Sequence, residues 1–94
     1  MPVVYVIGGA NGSGKTTSAL SILPTLGVIE FVNADAIASG LSPLNPESMA
    51  IQAGRLMLER LNELAEAGSD FAFETTLAAR TFAPFLRSCK ARNY

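Results

Sequence analysis

The sequence predicts an α/β fold built on a parallel sheet. Segments with strand character and segments with helical spacing alternate in the order βαβαβα, and each crossover is long enough to hold a helix. The first strand segment, residues 3–7, runs straight into a glycine-rich turn that opens a helix. The strand segments are apolar almost throughout rather than alternating, as expected of strands covered on both faces.

Each element has its own signal. Residues 3–7 (VVYVI) are β-branched or aromatic at every position. From Gly14 to about Leu23 the spacing of Thr16, Ala19, Leu20 and Leu23 is helical, and Pro24 with Gly27 closes the segment. Residues 28–32 form the second expected strand. Residues 35–38 read as a short helical turn halted at Gly40, followed by a loop through Ser42, Pro43 and Leu44. Asn45 is expected to cap the longest helix, with Pro46 at its first position and Glu47 near the positive end of its dipole. Met49, Ala53, Leu56, Met57, Leu61 and Leu64 line one face of that helix, and Gly68 is its expected C-terminal cap. Residues 71–75 form the third strand. Thr81 is expected to cap a last helix, in which Phe82, Phe85, Leu86 and Cys89 recur at i, i+3, i+4 and i+7.

Length and composition narrow the function classes. A chain of 94 residues forms one small domain or part of one, and 49% hydrophobic against 16% charged residues argues for a packed core. Seven basic and eight acidic side chains leave a net charge of -1, which supplies no basic field for a nucleic-acid backbone. With one cysteine, Cys89, and no histidine, an internal disulfide and a Cys/His zinc site are excluded by count. Cys89 reads as a half-buried helix residue. The apolar start is too short for a membrane span and lacks the basic opening of a signal peptide, so a cytoplasmic protein is expected.

Gly9-Ala10-Asn11-Gly12-Ser13-Gly14-Lys15-Thr16 fits the G-x-x-x-x-G-K-[ST] pattern of a Walker A phosphate loop. Glycines let successive backbone N–H groups turn toward phosphate oxygens, and the following helix adds its partial positive charge. In that reading Lys15 reaches the β- and γ-phosphates, Thr16 is the ligand for Mg²⁺, and Thr17 completes the loop. The strand before and the helix after supply the setting the pattern requires.

Ligands of an open parallel sheet bind beyond the carboxyl ends of its strands. The second strand ends at Asn33, Ala34 and Asp35, and the third at Glu74, Thr75 and Thr76, so these clusters and the phosphate loop are expected to share one edge. Asp35 is either the N-cap of the short helix after it, a general base for an attacking hydroxyl, or a metal ligand. Asn33 reads as structural. Glu74 breaks an apolar strand, and a buried carboxylate needs a partner: a structural hydrogen bond, the substrate, or water on a metal. Thr75 and Thr76 can give hydroxyls to the same site or serve the local turn. Arg80 lies close enough to that strand end to hold an anionic substrate. Arg55, Arg60, Arg87 and Arg92 read as solvated helix residues.

With these residues in place, the chain resembles the zeta-toxin family of P-loop kinases. The resemblance rests on "GGANGSGKTT", "FVNADAIASGLSP", "AGRLML" and "FAFETTLAAR", in this order, and extends across nearly the whole chain. It implies a three-layer P-loop NTPase fold of the nucleotide-kinase type. The implied function is an ATP- and Mg²⁺-dependent phosphotransferase acting on a sugar hydroxyl of a nucleotide sugar such as UDP-N-acetylglucosamine. Carried over by residue, Lys15 and Thr16 hold nucleotide and metal, Asp35 corresponds to the catalytic base, and Glu74 to the substrate-contacting acid. Some members are toxins silenced by an antitoxin protein, which makes an antitoxin an implied partner. Family domains are about twice this long, with the arginines that embrace the γ-phosphate in their second half. Residues 1–94 therefore resemble the N-terminal portion of one kinase domain, cut after three strands. Two other readings stand beside this one: a catalytically inactive ATP-binding fragment, and a P-loop kinase of another small metabolite. Three parallel strands also leave open hydrogen-bonding edges, through which association is expected.

Overall fold

The computed structural model describes residues 1–8, 14–75 and 82–94, with Lys15 described by its backbone alone. It is mixed α/β. Strand β1 spans Val4–Gly8, β2 Phe31–Val32 and β3 Phe71–Thr75; helix α1 spans Lys15–Ile22, α2 Ala34–Leu41, α3 Ala50–Glu66 and α4 Ala83–Ala91. Short 3-10 turns at Leu23–Leu26 and Pro46–Met49 follow α1 and precede α3. The three strands form a parallel sheet in the order β1-β3-β2. Among the described residues, no helix is long and apolar enough to cross a membrane.

The central strand organises both layers. Every residue of β3 is buried, and its side chains alternate between two cores. Phe71 and Phe73 face α3 and α4, where they pack with Met57, Leu61, Leu64, Phe85 and Cys89. Ala72 faces the opposite layer, with Ala19, Leu23 and Val28. The aromatic rings form a connected set: Phe73 lies 5.2 Å from Phe82 and 6.0 Å from Phe85, and Phe71 lies 6.1 Å from Phe85 and 5.6 Å from Tyr94. Truncating Phe71 or Phe73 to alanine removes contacts that typically contribute about 3–5 kcal/mol. The β1–β3 register pairs Val4 with Phe71 and Gly8 with Thr75, and the Val3 N–H donates to Asp70 Oδ1 at 2.8 Å where the pairing begins.

Several element boundaries differ from the sequence reading, each for a local reason. Pairing of β2 begins only where the Glu30 carbonyl accepts from the Ala72 N–H at 2.8 Å. Upstream, the Val28 N–H is already committed to the Leu23 carbonyl, closing the turn after α1. Helix α2 runs through Gly40 to Leu41, because the Ser42 N–H still reaches the Ala38 carbonyl at 2.9 Å. Asn45 makes no side-chain cap. Instead its carbonyl accepts from both the N–H and the hydroxyl of Ser48, which tightens residues 46–49 into a 3-10 turn and delays α3 to Ala50. The expected cap at Thr81 lies outside the described residues.

Gly68 is the stop the sequence announces. Its φ of +69° is costly for any side chain, and there the Gly68 N–H bonds to Ala65 and the Ser69 N–H to Leu64, which together end α3. Helix α4 ends by the same geometry, with Asn93 at φ +71° and the Tyr94 N–H on the Cys89 carbonyl. Asparagine tolerates this conformation better than most side chains. The turn carries Tyr94 back over Phe71, where its hydroxyl lies 2.7 Å from the Ser69 carbonyl and 3.3 Å from that of Leu64. The ends of α3 and α4 are thereby tied together, and Cys89 is fully buried between them.

Burial raises the Tyr94 hydroxyl above its ordinary pKa of 10.0, with Cys89 and Asp70 pushing the same way and Arg92 opposing them. Burial likewise raises the Cys89 thiol above 9.0, again against Arg92. The folded chain thus holds both protons more tightly than the unfolded chain. Their stabilising contribution is complete below pH 9.0 and is lost as pH rises through and beyond 10.0. Urea denaturation across this range is expected to show falling stability. Tyr94→Phe should cost about 1 kcal/mol at neutral pH and flatten the alkaline decline; an unchanged slope would mean that the Tyr94 proton plays no part in it.

Candidate functional site

The carboxyl ends of all three strands lie on one edge of the sheet, because the strands are parallel and in register there. Glu74 follows Ala72 by two residues and so points to the α1 side. The first turn of α1 meets it: the Thr16 hydroxyl donates to Glu74 Oε1 at 2.7 Å. From the other flank, just past β2, the Asn33 amide donates to Glu74 Oε2 and lies 3.4 Å from the Thr16 oxygen. Glu74 and Asn33 are buried, whereas Thr16 is exposed. Three polar side chains separated widely in sequence therefore close a ring at the sheet edge.

Asn33 is the residue that sequence reasoning undervalued. Its Oδ1 accepts the Ala36 N–H at 3.0 Å, which makes Asn33 the N-cap of α2. The same side chain thus caps a helix with its oxygen and holds a carboxylate with its nitrogen. The amide has one workable orientation, since a flip would set oxygen against carboxylate and NH₂ against N–H. An asparagine immediately before a helix signalled the cap; its second bond depends on β3 lying beside β2, which no local pattern reveals.

Asp35 is not the N-cap, since Asn33 holds that place. It sits exposed in the first turn of α2. There it lines a cleft of about 640 Å³ together with Ser39, Asn45 and Glu47. The described lining of that cleft contains neither Thr16 nor Glu74. The structure thus brings Glu74, Thr16 and Asn33 into contact, and sets Asp35 on the adjoining helix turn without a bond to them.

Gly14 starts α1 in the left-handed region, at φ +83°, and among the described residues no side chain caps the helix. An added Cβ would meet nothing among the described residues, and the positive φ itself calls for glycine there. Thr17 is exposed, and Thr75 is buried at the end of β3. Gly9, Ala10, Asn11, Gly12, Ser13, Thr76 and Arg80, with the side chain of Lys15, lie outside the described residues.

The chemistry available is that of hard oxygen donors. A Thr16 hydroxyl that donates its hydrogen bond to Glu74 leaves its oxygen lone pairs for other partners, the condition for a hydroxyl to ligate a cation. Among the described residues, no group of three or more His, Cys, Asp or Glu side chains is placed to enclose a metal unaided. One hydroxyl backed by one carboxylate fits Mg²⁺ held chiefly by phosphate oxygens and water. Comparison with protein-family models, with curated proteins and with solved structures finds no match to this chain.

The ring makes a specific demand on Asn33. Asn33→Asp keeps an oxygen for the Ala36 N–H but sets a second carboxylate against Glu74. It should destabilise the fold by about 1–3 kcal/mol near neutral pH. Asn33→Ala, which removes the amide without adding a charge, should cost less than Asn33→Asp. Urea denaturation of the two variants checks this, and an equal loss in both would mean that the contact with Glu74 contributes little.

Proposed function

We propose that this chain binds Mg·ATP at the edge formed by α1 and β3, as a P-loop kinase of the zeta-toxin type. Its acceptor is a sugar hydroxyl of a nucleotide sugar such as UDP-N-acetylglucosamine. The observation that carries the reading is the hydrogen bond from Thr16, in the phosphate-loop motif, to the buried Glu74 at the end of the central strand. In P-loop proteins the motif's Ser/Thr and a strand-end carboxylate share the metal ion. The geometry favours the same division here, with Glu74 on the metal side through Thr16 rather than on the acceptor.

In this reading the glycine-rich segment and Lys15 bind the phosphates. Glu74 orients the Thr16 hydroxyl, and Asn33 keeps the carboxylate in place. When bound, the metal ion supplies charge neutralisation between the β- and γ-phosphates. Asp35, exposed at the cleft beside α2, is the group available to accept the proton of an attacking hydroxyl. A toxin role with an antitoxin partner belongs to the same reading, as does a cytoplasmic location.

A second reading, nucleotide binding without transfer, is favoured by where the described arginines go. Arg60 is paired with Glu30 at 3.1 Å and with Glu63 at 3.5 Å. Arg55, Arg87 and Arg92 are exposed on α3, on α4 and just beyond α4. An arginine on the transferring phosphoryl group contributes orders of magnitude in rate.

Calorimetry separates these readings from a phosphate loop that binds nothing. Mg·ATP is expected to bind. Lys15→Ala should weaken it by about ten- to a hundredfold, the worth of a charge-assisted phosphate contact. Thr16→Ala and Glu74→Gln should reduce the gain in affinity that Mg²⁺ gives over ATP alone. Absence of binding by folded protein rejects both readings. Binding with no added phosphate on UDP-N-acetylglucosamine, measured by mass spectrometry, leaves the second.

A further inference from the structure

The Asn33 amide nitrogen stands between two groups. It donates to Glu74 Oε2 and lies 3.4 Å from Thr16 Oγ1, the hydroxyl oxygen whose own proton goes to Glu74 Oε1 at 2.7 Å. Asn33 and Glu74 are both buried, so a bond lost between them is not freely replaced by water.

The other end of the same amide serves α2. Oδ1 accepts the Ala36 N–H at 3.0 Å, and the Asn33 main-chain carbonyl accepts the Ile37 N–H at 3.1 Å. Two N–H groups at the start of α2 therefore depend on one residue. That helix supplies Ala34, Asp35, Ala38 and Ser39 to the wall of the cleft of about 640 Å³.

We infer that Asn33 is a positioning residue that ties the presence of a divalent cation at Thr16 to the setting of α2, and so of Asp35 and the cleft wall. The link rests on the reading of this edge as the Mg·ATP site and adds that the cleft side responds to it. A hydroxyl oxygen has two lone pairs. When Thr16 Oγ1 gives one to a cation, positive charge also arrives beside the hydrogens of the Asn33 amide, which must readjust its bond to Glu74. A side-chain amide is planar by the same resonance as a peptide group, so its nitrogen cannot move without its oxygen, and Oδ1 carries the adjustment to the Ala36 N–H. By linkage, whatever settles the first turn of α2 alters cation affinity by the same factor.

Amide NMR of the full chain reads this at Ala36, with Ile37 as an internal reference because its partner is main chain. Spectra are compared with saturating ATP alone and with ATP plus Mg²⁺. The expected result is a Mg²⁺-dependent shift of the Ala36 resonance, accompanying those of α1 and larger than that of Ile37. Asn33→Ser keeps an N-cap oxygen but is too short to reach Glu74 and Thr16, so the helix start stays and the link is cut. In that variant the Mg²⁺-dependent shift at Ala36 should be lost while those in α1 remain. Asn33→Thr makes the same cut with a second capping hydroxyl; circular dichroism confirms which variants are folded, and the wild-type comparison decides alone if neither is. A Mg²⁺ response in α1 with Ala36 unmoved in the wild-type chain overturns the inference and leaves the Mg·ATP reading standing. An Ala36 response that persists in a folded capping variant also overturns it, since the signal then travels by another route. No response to ATP and Mg²⁺ at any amide rejects the Mg·ATP reading and the inference together.

Discussion

The arrangement at the sheet edge depends on the buried carboxylate of Glu74. A carboxylate at the end of an otherwise apolar central strand would be a severe cost without partners. Here it receives a hydroxyl from Thr16 and an amide from Asn33. Those partners arrive on separate elements, one at the start of α1 and one at the end of β2. The requirement to satisfy one strand residue therefore fixes how the phosphate-loop helix and the second crossover approach the sheet. Packing alone would hold α1 over Ala72 by way of Ala19 and Leu23; such small apolar contacts constrain distance more than rotation.

Strand alternation makes this possible. Phe71 and Phe73 spend their area on the α3 and α4 layer, while Ala72 and Glu74 face α1. The small Ala72 lets α1 come near, and Glu74, one step further along the same face, meets the first turn of that helix. The aromatic set around Phe73 holds β3 rigidly from behind, with rings at 5.2 and 6.0 Å. A polar ring with exact distance requirements thus rests on the most tightly packed strand.

Much of the fold was legible because its signals are local. The apolar stripe of α3, the left-handed stop at Gly68 and the Phe85–Cys89 face of α4 all follow from spacing or from the conformational freedom of one residue. The parts that were misread depend on competition between neighbours. Residues 28–30 have strand-forming side chains, but the Val28 N–H is taken by the Leu23 carbonyl before it can join a ladder. Asn45 and Pro46 look like a helix start, and Ser48 turns them into a 3-10 turn. At the site, Glu74 and Thr16 were both singled out, yet their hydrogen bond was not, because it spans 58 positions in sequence. Asn33 looked structural and is; that it also holds Glu74 could only emerge once β2 and β3 were side by side.

The double use of Asn33 binds Asp35 to the same constraint. The Asn33 side-chain oxygen, Oδ1, sets the first turn of α2 by accepting from the Ala36 N–H, and the side-chain nitrogen is fastened to Glu74. Asp35 lies between the cap and that N–H, so its backbone position is dictated by a bond to the central strand although its side chain touches none of the three. A rigid amide link of this kind carries position without carrying charge. The carboxylate at Glu74 is buried against α1, and the carboxylate at Asp35 is exposed beside the cleft lined by α2. A change at Glu74 and a change in the backbone at Asp35 would accordingly reach each other by the same route, through Asn33 and the start of α2.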